Sequence, residues 1–561
     1  MRTAPPSKGL ARAFVLGLIA LSLVPVGAQR PRDAASQAPP ASLNVIVREV
    51  APLTSHAERA VRRFGGTIRR QLPIVGGFAA TLPAASVDRL AAERAIAGVW
   101  RDGTVVMHDD DDDDDDDIRS YDKLPPNEVW RQAIRLPDVQ PGVDGEGVTV
   151  AVLDTGIVPS PDLAGRVAAR ADLTPDRDGS DRYGHGTHMA GVVAGDGAAS
   201  SGRWRGVAPG AEIVAVKVAG WDGATDVSAV LAGLQWVVTH KARYGIRVLN
   251  LSFGTDSYQS YLRDPLDYAV ERVWQAGILV VVAAGNRGSG DGTISKPGDD
   301  PFVLTVGAAD LNGTVDRADD VVAGFSSRGP TQDNLSKPDL VAPGVTIVSS
   351  RAPNSTIDAF RPLARIDEHY FKGTGSSQAA AVVSGLAALM FEADPSLTPD
   401  VAKAVLVGTT DRTLAGQKGA GQGLVDKTAR PPGEADAKVL GSAVGVERQR
   451  AGGTQRMVAA HHRDVLAAVQ RLQQHRRLVA LGVQGRADVG EEAERDIGDL
   501  AVLVRALDVL HASPVGDHRH LRARSFYERA GIQTRRFGDK SPDFSGRRAG
   551  NRNDDLALCR V

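Results

Sequence analysis

The sequence predicts a doubly wound α/β domain with a mostly parallel sheet, preceded by a small α+β domain, within a chain of 561 residues. Three observations carry that reading. Between about residues 142 and 426, apolar runs of strand length alternate with stretches of helical spacing, the signature of a parallel sheet wound by crossover helices. Residues 42–107 follow a β-α-β-β-α-β order in about 65 positions, a ferredoxin-like arrangement. Gly373 to Met390 opens with glycines and hydroxyls and then becomes apolar on every face, so it reads as a loop running into a buried helix that Asp394-Pro395 ends.

Taken in order, Arg2, Lys8 and Arg12 lead into an apolar run from Ala13 to Val26, and Val26-Gly27-Ala28 precedes Gln29. A basic start, an apolar stretch short for a bilayer span and small residues at a cut point predict a signal peptide over 1–28 and a secreted, extracellular protein. An uncleaved anchor fits the same features. Residues 29–41, rich in Pro, Ala and Gln, read as a linker. In the small domain, Leu43 to Val47 predicts a strand and Ser55 to Phe64 a helix closed by Gly65-Gly66. Thr67 to Leu72 and Gly77 to Leu82 predict strands, Ala84 to Arg94 a helix, and Gly98 to Met107 the last strand. Residues 108–141 form an acidic linker around an unbroken aspartate run, Asp109 to Asp117, which repels itself and stays open to proteases. A sharper reading has that run collecting Ca²⁺ and coupling maturation to it. In the large domain, 142–426, Ile213 to Val218, Arg247 to Phe253, Ile278 to Ala283 and Phe302 to Val306 predict strands, and Val227 to Ala242 and Leu266 to Ala276 helices. Asp176, Asp178 and Asp181 lack the spacing of a Ca²⁺-binding EF-hand and read as an exposed loop.

Three polar residues stand where such a domain places chemistry. Asp154 ends the apolar run V-T-V-A-V-L-D, at the carboxyl edge of a predicted parallel strand. His185 enters a helix of small residues in G-H-G-T-H-M-A-G. Ser377 sits at the mouth of the buried helix, where backbone N–H groups and the positive end of the helix dipole suit a developing oxyanion. Alone, each has an ordinary explanation: a structural aspartate, a core histidine, a serine N-cap. Together they supply acid, base and nucleophile.

The order D-T-G, then H-G-T-H-x-A-G, then G-S-S-x-A resembles the subtilisin-like serine proteases, the subtilases. The resemblance makes Asp154 the orienting acid, His185 rather than His188 the general base, and Ser377 the nucleophile, with Gly385 setting the register. Ser376 stands where Thr is common and Ala381 where Pro is common, and the doubled hydroxyl leaves Ser376 as a competing nucleophile. V-V-V-A-A-G-N ends in Asn286, which the resemblance makes the oxyanion donor. It further implies that Leu251, Ser252, Phe253 and Gly254 pair with the substrate backbone and, with Ala283 and Gly285, wall the pocket for the side chain preceding the cut. Phe253 and the missing bulk at Gly254 suggest that this pocket is broad and apolar-tolerant. F-S-S-R-G-P at 325–330 and K-P-D-L-V-A-P-G at 337–344 extend the likeness across a subtilisin-like catalytic domain.

On this resemblance the small domain, 42–107, is an inhibitory propeptide and intramolecular chaperone, and the protein is a self-processing serine endopeptidase acting on polypeptides. No cofactor is required for that chemistry, and structural Ca²⁺ is implied without its residues being placed; no metal ligands are assigned. With 66 basic against 68 acidic residues, nothing points to a nucleic-acid partner, and a monomer is expected. Cys559, the single cysteine, excludes an intramolecular disulfide framework. The extension 427–561 holds six of the twelve histidines and reads either as a basic, partly helical addition or as a shifted reading frame. A catalytically inactive peptide-binding scaffold is the alternative function, against which stands the retention of Asp154, His185, Asn286 and Ser377.

Overall fold

The computed structural model describes residues 42–50, 55–107, 128–139 and 141–426. The expected signal peptide, linker, aspartate run and C-terminal extension lie outside these residues.

In the small domain, strand β1 (Ser42–Glu49), helix α1 (His56–Arg63), strands β2 (Thr67–Leu72) and β3 (Gly77–Pro83), helix α2 (Val87–Ala91) and strand β4 (Ile96–Arg101) keep the anticipated order. The strands form an antiparallel sheet in the order β2-β3-β1-β4. Strand periodicity divides the side chains between two cores. Val45, Val47, Phe78, Ala80 and Leu82 pack with Ala60, Val61 and Leu90 of the helices, whereas Ile46 and Ala79 point the other way and join the core of the large domain.

Two boundaries differ from expectation. The helix expected over 84–94 is confined to α2, because the residues after Pro83 form a 3₁₀ turn first. The last strand is broken at Asp102-Gly103. Asp102 accepts a hydrogen bond from the Ser228 backbone N–H at 2.7 Å, and β5 (Thr104–Met107) leaves the small sheet for the large domain.

The large domain begins after helix α3 (Glu128–Ala133) and contains β6 (Thr149–Asp154), β7 (Val167–Asp172), α4 (His185–Ala194), β8 (Glu212–Lys217) and β9 (Ala224–Asp226). Next come α5 (Val227–Tyr244), β10 (Ile246–Leu251), β11 (Phe253–Gly254), α6 (Pro265–Gln275), β12 (Leu279–Ala283) and β13 (Leu304–Asp310). Then follow β14 (Val321–Val322), β15 (Leu340–Pro343), β16 (Ile347–Ser350), α7 (Thr356–Phe360), β17 (Tyr370–Gly373), α8 (Ser376–Ala393) and α9 (Pro399–Gly408). The main sheet runs β14-β13-β12-β10-β6-β8-β7, with β15 also paired to β13, and every pairing is parallel except β13 with β14. Its central strands are apolar on both faces, as a sheet covered on both sides requires.

Helix α8 is the deepest element: every residue from Ser376 to Phe391 is buried. It packs against α4 and lies along β10, β12 and β13. Its small residues make that contact possible, since a Cβ on Gly385 would collide with the Val207 side chain. The helix therefore carries Ser377 on a support with little room to move.

Candidate active site

Asp154 is the last residue of β6 and is 1% exposed. The sheet puts it beside the first residue of α4, His185, whose Nδ1 lies 2.8 Å from Asp154 Oδ1 and 3.0 Å from Oδ2. Gly186 is required for this approach: a Cβ there would overlap the Gly156 carbonyl in the turn that follows Asp154. Thr155 N donates to Asp154 Oδ1 at 2.8 Å, so the carboxylate is held from both sides. His188, three residues on, belongs to the core instead. Its Nε2 meets the Phe371 carbonyl at 3.2 Å, and burial, aided by the nearby His185, lowers its pKa to about 4.

Ser377 is the second residue of α8. Its hydroxyl donates to the Ser252 carbonyl at 3.3 Å, and the Ser252 hydroxyl donates to the Ser377 carbonyl, also at 3.3 Å. Asn250 extends this link by donating to Ser252 Oγ at 2.9 Å and accepting from Ser384 Oγ at 2.9 Å. The buried polar groups thus clamp the end of β10 to the start of α8.

The adjacent hydroxyl is committed elsewhere. Ser376 Oγ donates to Asn286 Oδ1 at 2.8 Å and accepts from Gly285 N at 3.1 Å. Ser376 N also donates to Asn286 Oδ1 at 2.9 Å. A backbone N–H can be accepted only by the amide oxygen, so these bonds orient Asn286 with its Nδ2 turned away from Ser376.

The substrate-binding residues are distributed unevenly. Gly254 lines a cavity of about 690 Å³ together with Met107, Asn286, Arg287, Asp256 and Ser295. Leu251, Phe253 and Ala283 are fully buried and do not wall it. The Phe253 ring points into the core, and the cavity wall carries Arg287, paired to Asp256 at 2.8 Å, beside the apolar Val106 and Met107. Ser252 contacts Ser377, and Gly285 supports Ser376, so both act behind the cavity surface.

The groove is occupied by the chain itself. Strand β5 lies between β9 and β11, antiparallel to both, with Met107 opposite Phe253, Val106 opposite Gly254 and Val105 opposite Thr225. Val105 and Met107 point inward and are buried, whereas Val106 is 51% exposed.

Sequence reasoning missed Asp181. Instead of an exposed loop, the structure has Asp176 and Asp178 near the surface with Arg182 and Lys217, while Asp181 is 3% exposed beneath the start of α4. Among the described residues, no group of three or more His, Cys, Asp or Glu side chains is arranged to hold a metal ion. The structural Ca²⁺ implied by the resemblance has no such cage there.

Residues 145–434 match the subtilase family. The chain is 45% identical over 274 residues to the serine protease AprX of Bacillus subtilis (strain 168), covering 48% of this chain and 62% of that protein. It is 38% identical over 256 residues to subtilisin Savinase of Lederbergia lenta, covering 46% of this chain and 80% of that protein. In structure it is similar to fervidolysin from Fervidobacterium pennivorans, a keratinolytic enzyme related to subtilisin. That match has a TM-score of 0.53 and 25% identity, and covers 70% of this chain and 61% of the other. The chain thus spans less than two thirds of the length of AprX and of fervidolysin.

Proposed function

Since this chain belongs to the subtilase family, we propose that it is a secreted serine endopeptidase made as a self-processing zymogen. The observation that carries the reading is the His185 imidazole seated on the Asp154 carboxylate, in a domain that also holds Ser377 at the first turn of a buried helix. His185 removes the Ser377 proton as the hydroxyl attacks a peptide carbonyl, and Asp154 stabilises the imidazolium that forms. Asn286 Nδ2 and the Ser377 N–H stabilise the oxyanion. The imidazolium returns its proton to the leaving amine, and water then releases the acyl group by the same route.

The small domain acts as the propeptide. Its β5 adds a strand to the groove as a substrate backbone does, and its Asp102 holds the first turn of α5. The register pairs Val106 with Gly254 and Met107 with Phe253, so each step toward Ser252 approaches the Ser377 hydroxyl. Self-cleavage is accordingly expected one residue beyond Met107, between His108 and Asp109, leaving the aspartate run at the new N-terminus.

The test is mass spectrometry of secreted wild-type protein beside Ser377→Ala, with casein hydrolysis measured for both. Wild type should lose the propeptide and cut casein while the variant stays as precursor. If both remain intact and inert, the protein is no working protease and the inactive scaffold takes its place.

A further inference from the structure

We infer that Asp181, which lies outside the motifs quoted above, is a positioning residue that holds the Asp154-bearing strand and the His185-bearing helix in register and supports the imidazolium. The inference rests on the serine-protease reading. Asp181 accepts four hydrogen bonds, two on each oxygen. Oδ1 takes the Gly184 N–H at 2.6 Å and the Thr155 hydroxyl at 2.8 Å. Oδ2 takes the Thr187 N–H at 2.8 Å and the Thr187 hydroxyl at 2.7 Å.

These partners fall on both halves of the acid–base pair. Thr155 directly follows Asp154, while Gly184 directly precedes His185 and Thr187 lies in the same helical turn. Thr155 completes the bridge by accepting the Gly186 N–H at 2.9 Å. One buried carboxylate therefore joins two segments whose separation sets the Asp154–His185 distance. Burial is the largest influence on Asp181 and holds its pKa above the usual carboxylate value, although the four hydrogen bonds pull it down. Each oxygen accepts one backbone N–H and one hydroxyl, and these four donors favour the charged carboxylate against its burial.

The charged and titratable groups around the pair are few. Asp154 faces His185 from β6, and Asp181 lies beneath the helix start. His188 on α4, with its pKa near 4, is neutral at the working pH of a histidine base. Lys217 on β8 is the register neighbour of Asp154, but its ammonium is turned to the Ser180 carbonyl at 2.7 Å and to Asp178 at 3.3 Å. Arg182 pairs with both Asp176 and Asp178 at the loop surface. Asp181 is thus a second buried carboxylate beside the acid–base pair, bonded to the residues that flank Asp154 and His185. Removing its charge lowers the proton affinity of the imidazole and moves the acid limb of the rate profile to lower pH.

The test measures kcat, KM and the pH dependence of kcat/KM on a chromogenic peptide for wild type, Asp181→Asn and Thr155→Val, all expressed as the full chain. Asp181→Asn keeps the shape but turns an N–H₂ toward groups that donate. Its kcat should fall about 10- to 100-fold with KM within about twofold, and its acid limb should move down by about half to one pH unit. Thr155→Val removes only the hydroxyl bridge and should cost about tenfold in kcat. If Asp181→Asn fails to fold, Thr155→Val decides, and Thr155→Ser should restore the rate. Unchanged kcat and acid limb in a folded variant overturn the inference, as does failure of both variants to fold, which would make Asp181 a folding residue. A wild type with no peptidase activity overturns the serine-protease reading and this inference with it.

Discussion

Replacing Ser376 separates the two adjacent hydroxyls by the kind of loss each produces. Ser376→Ala removes the 2.8 Å bond to Asn286 Oδ1 and the acceptor for Gly285 N, but leaves the 2.9 Å backbone bond that orients the amide. One neutral hydrogen bond contributes about 1 kcal/mol, and the loosened amide adds a similar amount, so kcat should fall about 5- to 30-fold. Asn286→Ala removes the oxyanion donor itself and should cost about 10² to 10³ in kcat, on the scale measured for the same kind of donor in subtilisin. Because Ser376 acts through Asn286, the double variant should be no slower than Asn286→Ala alone. Ser377→Ala should lose about 10⁶. Steady-state kinetics on one peptide substrate give these ratios. Labelling with a serine-directed sulfonyl fluoride, followed by peptide mapping, should place the adduct on Ser377. An adduct on Ser376, or a folded Ser376→Ala as inactive as Ser377→Ala, would refute the assignment of roles.

Other outcomes follow from the same geometry. The mature chain should begin at Asp109, and Met107→Asp should slow its appearance by burying a charge opposite Phe253; a first cut within 118–141 would refute the register. Lys296→Met should destabilise the protein by about 3–5 kcal/mol, since Lys296 Nζ lies 2.6 Å from Asp267 and 2.5 Å from Asp299 in a fully buried cluster. Thermal unfolding in the Ser377→Ala background measures this, and an unchanged midpoint would show the cluster to be hydrated. Burial and the neighbouring Asp300 raise the Glu271 pKa to about 8. A carboxyl raised in the folded state stabilises fully below its unfolded pKa and loses that contribution as pH rises through the folded value. Stability should therefore fall between about pH 4.5 and pH 8, by up to about 1.4 kcal/mol per unit, and Glu271→Gln should flatten the decline.

Much of this protein is legible in its sequence. Asp154 ends an apolar strand at a glycine turn, and His185 and Ser377 each open a helix whose small residues can pack only in a core. These are local patterns, set by strand and helix periodicity and by where glycine permits close approach. The α/β alternation and the order of the small domain follow from the same local rules, although the break at Asp102-Gly103 does not. It depends on a donor at Ser228, more than a hundred residues away, and on a groove that exists only once β9 and β11 are in place.

Asp181 shows the limit most clearly. In P-D-R-D-G-S-D it reads as one more carboxylate of a solvated loop, because nothing nearby in sequence announces the Thr155 hydroxyl or the first turn of α4. Likewise, alternation could not say that Phe253 turns inward, and a G-S-S motif could not assign separate partners to Ser376 and Ser377. The sequence by itself determined which chemical groups are present and which elements carry them, because those depend on short-range periodicity. Only the tertiary structure decided which polar groups are buried together and which way each points, because burial and hydrogen bonding join segments that the chain keeps far apart.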